Sequence, residues 1–141
     1  MQVLVVTENY KQIEGIMDKI SDLLNTAWEA REFAYPHKSG TKVGCALMTN
    51  SNRTVKGWNI EGLWMTSIHA EVCAIAKMQY YDEKIKMIAI VAETEFFTPC
   101  GACMDWINQF ADINCQIIVE NKHKEITRYK VCDLMPHYPK Q

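Results

Sequence analysis

Two short stretches carry residue types able to do chemistry, His69-Ala70-Glu71 and Pro99-Cys100-Gly101-Ala102-Cys103. Cys100 and Cys103 stand at i and i+3, one helical turn apart, so both sulfurs reach the same ion. If the helix begins at this pair, its N-terminal partial positive charge and free N–H groups lower the thiol pKa values and favour the thiolates that metals require. His69, opening a second helix, supplies a nitrogen and completes a Cys2His set with the fourth position open, which is the donor pattern of catalytic zinc. Zinc so held, one Zn2+ per chain, brings the pKa of a coordinated water from about 15.7 toward neutrality. Glu71, two residues beyond a ligand, is placed to manage that water's proton. Two thiolates and a neutral imidazole also balance the dication.

Other readings of the same residues compete. A Cys-x-x-Cys pair also serves redox chemistry, and a single histidine more often caps a helix or satisfies a core contact. Cys73 lies four residues after His69 on the same helical face and is a rival third ligand. It is read here as core, and Cys45, Cys115 and Cys132 as small buried hydrophobes of apolar strands. Trp28 and Trp106 are likewise read as core. The joint order, HxE and then PCxxC with each opening a helix, is a zinc-deaminase signature and outweighs the separate alternatives.

The elements that must position these residues follow from periodicity. Ile13, Ile16, Met17, Ile20, Leu23, Leu24 and Ala27 recur at helical spacing, giving an amphipathic helix over 11–31. Residues 34–40 carry breakers and read as a loop. Residues 43–49 and 54–60 flank the polar turn Asn50-Ser51-Asn52-Arg53 and read as paired strands. A helix over 68–81, a buried strand over 87–92, a helix from Pro99 to Phe110, and strands over 115–120 and 126–131 complete the order αββαβαββ. Helices alternating with buried strands predict an α/β fold, a three-layer α/β/α sandwich around a central mixed sheet of about five strands. The run Val3 to Val6 stays unassigned.

Composition bounds the rest. The 141 residues, 48% hydrophobic and 23% charged, suffice for one domain spanning 1–141 with its own core. A net charge of −2, without clustered Lys or Arg, offers no field to gather phosphates, so no nucleic-acid partner is expected. No apolar run is long enough for a membrane span, and the opening residues lack the pattern of a signal peptide. The expected address is cytoplasmic, where six cysteines point to metal binding or burial rather than disulfides.

With these motifs in place, the sequence resembles the cytidine deaminases and the related blasticidin S deaminases over most of its length. Ser39 to Leu47 resembles their SxFxVGAAL stretch, Gly57-Trp58-Asn59-Ile60-Glu61 their GxNxE, and Leu134-Met135-Pro136 their terminal LLP. The resemblance implies a small α/β/α subunit, commonly a homotetramer, whose active sites are touched by neighbouring chains. It implies hydrolytic deamination of a cytosine nucleoside at C4, with Glu71 carrying protons and Asn59 and Glu61 holding the ribose. Two residues apart on a strand, Asn59 and Glu61 would share one face. The expected partners are thus a small cytosine nucleoside and further copies of the chain, as a dimer or tetramer. Family members with three cysteine ligands usually follow the glutamate with arginine, so His69 with Val72 is self-consistent. Departures bear on the substrate: Thr41 replaces an aromatic near the base, Gly62 an asparagine, and Met104 an arginine. The stretch from Asn59 to His69 is one residue short, and Tyr138 arrives one position early after Pro136. A modified nucleoside such as blasticidin S is the runner-up substrate, with Trp58 or Trp64 as a replacement stacking surface. The reading from another class is a non-catalytic zinc-binding module.

Overall fold

The computed structural model describes the backbone of residues 2–139 and the side chains of 7–139. In chain order the elements are α1 (Gln2–Arg31), β1 (Val43–Thr49), β2 (Thr54–Trp58), β3 (Ile60–Glu61), β4 (Ser67–Ile68), α2 (Ala70–Gln79), β5 (Ile85–Ala92), α3 (Gly101–Phe110), β6 (Ala111–Glu120), β7 (Ile126–Lys130) and α4 (Val131–Leu134). Five strands form one sheet in the order β2-β1-β5-β6-β7, and β3 and β4 form a separate short hairpin. Within this sheet the β5–β6 pair is parallel, joined through α3; β1 pairs antiparallel with both β2 and β5, and β7 antiparallel with β6. The sheet is mixed and five-stranded, as the alternation of helical and strand periods requires.

Period two along the strands sorts the core into two layers. Ala46, Met48, Met87, Ala89, Val91 and Ile118 face α1, whose Ile20, Leu23, Leu24 and Ala27 fill that side. Cys45, Leu47, Ile88, Ile90, Ile117 and Val119 face the other way, against Ala74, Ile75 and Met78 of α2 and Met104 and Ile107 of α3. Cross-strand partners agree with this sorting, since Cys45 lies opposite Ile90, Leu47 opposite Ile88 and Ala46 opposite Ala89. With both faces covered, β1 and the 87–92 part of β5 are apolar on both faces, which is why they read as continuous runs.

Several boundaries move. Helix α1 starts at Gln2 rather than near residue 11 and takes in the Val3–Val6 run, whose side chains lie outside the described residues. β2 stops at Trp58, because Asn59 turns its amide onto the backbone of the 41–43 segment and the chain then enters the β3–β4 hairpin. Residues from Val131 form the short α4 instead of extending β7. Trp106 is not core: it lies on the outer face of α3, stacked on Phe110 one turn later. Trp28 is half-buried, its indole N–H held by Glu120. Cys45 and Cys115 are buried as read, whereas Cys132 is exposed on α4 and Cys73 is half-buried. Among the described residues, no helix is long and apolar enough to cross a membrane.

Two strand glycines set how close the helices come. A Cβ on Gly57 would lie 2.2 Å from the Ala70 carbonyl oxygen and 2.5 Å from the Ala74 nitrogen, and one on Gly44 would lie 2.0 Å from the Ala27 carbonyl oxygen. These are backbone atoms that no rotamer change moves. Gly57→Ala is therefore expected to lower stability by about 2–3 kcal/mol or more through overpacking, while Gly15→Ala, on an exposed helical turn with nothing within 4 Å, should raise it by about 0.5–1 kcal/mol. Urea midpoints at unchanged slope check both signs.

Candidate metal centre and active-site cleft

His69 and Cys100 are the N-cap residues of α2 and α3, both in extended backbone conformation (φ −77°, ψ 155° and φ −71°, ψ 168°). The close contact at Gly57 fixes the start of α2, and the β5-to-α3 connection brings α3 to the C-terminal end of β5, beside the start of β1. The two helix N-termini converge there. His69 Nδ1 lies 3.4 Å from Cys100 Sγ and 3.3 Å from Cys103 Sγ. The ligand atoms of His69, Cys100 and Cys103 all fall within 4.8 Å of one another, the one such metal-ligating group among the described residues.

Donor chemistry and spacing both fit zinc. Zinc bonds of about 2.3 Å to sulfur and 2.0–2.1 Å to nitrogen, at tetrahedral angles, place N and S about 3.5 Å apart. His69 and Cys100 are exposed while Cys103 is buried, so the trio faces the cleft from one wall and leaves an approach from solvent. Burial, followed by the nearby Glu71 carboxylate and Cys100, drives the Cys103 thiol far above its ordinary pKa. A divalent cation among these groups reverses that balance and holds the thiolate. Cys73 stands outside the trio.

Glu71 lies in the first turn of α2 and is 5% exposed. Burial raises its pKa above the ordinary value, opposed by its own backbone N–H, the Cys103 side chain and His69. The opposite end of the site is built by Asn59 and Glu61. Asn59 is buried, its Oδ1 accepting from the Val43 N–H at 2.8 Å and its Nδ2 donating to the Thr41 carbonyl at 2.8 Å. Glu61 accepts from the backbone N–H groups of Lys38 (2.7 Å) and Ser39 (3.0 Å) and from the Ser39 hydroxyl. These bonds, the Ser39 hydroxyl first, hold its carboxyl below the usual range.

A cleft of about 320 Å³ joins the two ends, with Asn59, Glu61, Ser39 and Thr41 at one, His69, Cys100 and Glu71 at the other, and Val43, Ile90 and Phe97 among the apolar wall residues. All the residues singled out by spacing meet there except Cys103, which sits just beneath the surface beside Cys100 and His69. Trp58 and Trp64 do not line it: Trp58 packs on Phe33 with Lys77 over its ring, and Trp64 projects from the hairpin tip, 77% exposed. Tyr138 is also elsewhere, its hydroxyl donating to Asp105 on α3. Phe97, Thr98 and Ser67 line the cleft without having been read from the sequence. For Phe97 and Thr98 the available signal was their place in the loop just before Pro99-Cys100.

Comparison with known proteins agrees with this geometry. A model of the cytidine and deoxycytidylate deaminase zinc-binding region matches residues 17–120. A cytidine deaminase of Halalkalibacterium halodurans is 31% identical over 120 residues, covering 81% of this chain and 89% of that one. Cytidine deaminase 2 of Arabidopsis thaliana is 30% identical over 128 residues, covering 85% of this chain and 38% of the plant protein. Among solved structures, a cytidine deaminase from Burkholderia pseudomallei superposes with a TM-score of 0.78 at 29% identity, over 83% of this chain and 96% of that one. The cytidine deaminase of Mycobacterium tuberculosis, at 20% identity and a TM-score of 0.72, shares the fold. The chain belongs to the zinc-binding cytidine and deoxycytidylate deaminase family.

Proposed function

We propose that this protein hydrolyses cytidine or deoxycytidine to uridine or deoxyuridine and ammonia, with His69, Cys100 and Cys103 as zinc ligands and Glu71 as the catalytic acid–base. The observation that carries the reading is the buried Glu71 carboxylate beside a Cys2His trio at one end of a cleft of about 320 Å³. Zinc supplies Lewis acidity that makes water a competent nucleophile near neutral pH. Glu71 then takes the water's proton and delivers it to N3 of the pyrimidine as C4 is attacked, and passes the second proton to the departing amine.

Asn59 and Glu61 hold the ribose in this reading. Both are already anchored to the 38–43 backbone, so each presents its remaining lone pairs or N–H in a fixed direction. A larger cytosine nucleoside such as blasticidin S is the second reading, favoured by Thr41, a small side chain lining the cleft where the resembled family carries an aromatic. The whole of 1–141 acts as one domain. Six unpaired cysteines suit a reducing, cytoplasmic setting, and a role in pyrimidine salvage follows from the products. The exposed apolar tip Leu63, Trp64 and Met65 beside the cleft supports a homo-oligomer, a dimer or a tetramer. The net charge of −2 speaks against nucleic acid as a partner.

Ammonia release from cytidine, deoxycytidine, cytidine monophosphate and blasticidin S, measured separately, tests the assignment. Turnover of cytidine or deoxycytidine is expected, and Glu71→Gln should lower it by at least about 10²–10⁴-fold with zinc retained. Retained turnover in that variant removes Glu71 from the mechanism. Silence with all four substrates in zinc-loaded wild-type protein leaves the non-catalytic zinc module. A second expectation concerns Glu61. Its folded-state pKa is lowered, so its contribution to holding the 38–41 loop is present above the ordinary carboxylate pKa and is lost as pH falls through the lowered value. Ser39→Ala removes the largest cause and should move the Glu61 titration, followed by carboxyl NMR, upward; an unmoved titration contradicts the assignment.

A further inference from the structure

We infer that the ring of Phe97 is the surface on which the flat pyrimidine of the substrate lies, and that this residue sets the affinity of the cleft for planar bases. The inference deepens the proposed nucleoside reading and rests on it. Among the residues lining the cleft, only His69 and Phe97 carry rings, and the His69 ring is directed through Nδ1 at the two cysteine sulfurs. Phe97 is therefore the one aromatic face left for a ligand. The other candidates are spent or remote, since Trp58 is covered by Lys77 Nζ at 3.7 Å and Trp64 is outside the cleft.

The loop that carries Phe97 is tethered along its length. Glu93 pairs with Arg31 at 2.9 Å, the Thr94 carbonyl accepts the Lys122 N–H at 3.0 Å, and Glu95 is held by Lys122 and, at 2.9 Å, by His123 Nε2. On the other side Pro99 is buried and Cys100 is fixed as the cap of α3. Between these anchors two phenylalanines part: Phe96 is 77% exposed to water, and Phe97 turns inward against the core and into the cleft. A half-buried ring held this way loses little freedom when a base stacks on it. It also lies three residues before Cys100, so it belongs to the metal end of the cleft, where the base and not the sugar must sit for its C4 to meet Glu71 and the ligand trio. Val43 and Ile90, neighbouring strand ends, continue the same apolar wall.

Base-on-aromatic stacking lost by substitution weakens binding by about ten- to a hundredfold. The test uses zinc-loaded Phe97→Leu, which keeps an apolar side chain but has no π face, and Phe97→Tyr, which keeps the ring. Dissociation constants for uridine, a flat product that reports binding without turnover, are measured by calorimetry beside KM and kcat for cytidine. Phe97→Leu is expected to weaken uridine and raise KM about tenfold or more with kcat within a few-fold, and Phe97→Tyr to stay within about threefold of wild type. Wild-type-like uridine affinity in Phe97→Leu overturns the inference. In wild-type protein, whether or not the leucine variant folds, nuclear Overhauser contacts between the Phe97 ring and uridine H5 or H6 are expected, and bound uridine without them overturns it as well. Wild-type protein that neither deaminates cytidine nor binds uridine overturns the nucleoside reading and this inference together, whereas turnover with an indifferent leucine variant overturns the inference alone.

Discussion

Two thiols and an imidazole from separate helices have to come within one ion's reach, and the architecture around them follows from that demand. His69 stands at the N-terminus of α2 and both cysteines at that of α3, where unpaired N–H groups and the helix dipole favour anionic sulfur. Convergence of two such ends needs neighbouring strands whose ends open on the same edge of the sheet, which the antiparallel β1–β5 register supplies with Val43 opposite Ala92. It also needs α2 to lie unusually near β2, and Gly57 allows that approach because any side chain there would strike the α2 backbone at Ala70 and Ala74. The metal trio thus depends on a residue that does no chemistry.

The cleft then divides its work by environment. Glu71 and Glu61 are the same chemical group pushed in opposite directions, one raised by burial among cysteines, the other lowered by a hydroxyl and two backbone N–H groups. The first is suited to exchanging protons and the second to remaining a fixed anionic acceptor. Asn59, a neutral amide, orders the same end by accepting from the Val43 N–H and donating to the Thr41 carbonyl.

How much of this was legible in the sequence varies with how local the cause is. The Cys100–Cys103 half of the candidate trio is legible because i,i+3 sulfurs at a helix start are a local geometric fact, and the sheet is legible because β1 and most of β5 are apolar on both faces. The β3–β4 hairpin was not: strands of two residues carry no periodicity, and Asn59 leaves the sheet through bonds to residues 16 and 18 positions away. Trp106 and Cys132 were misassigned because apolar type alone does not say which side of a helix meets the core. Phe97 was missed for a related reason: in Phe96-Phe97 only the tethering of the preceding residues to Arg31, Lys122 and His123 decides which ring enters the cleft, and that is a tertiary fact.

The proposed chemistry needs one zinc ion held by two sulfurs and one nitrogen with a position left for water. X-ray absorption at the zinc edge of the purified protein addresses it directly. Two sulfurs near 2.3 Å, one imidazole nitrogen near 2.0 Å and one further, exchangeable light atom are expected. A third sulfur, as Cys73 would provide, or a closed shell of four protein ligands would contradict it.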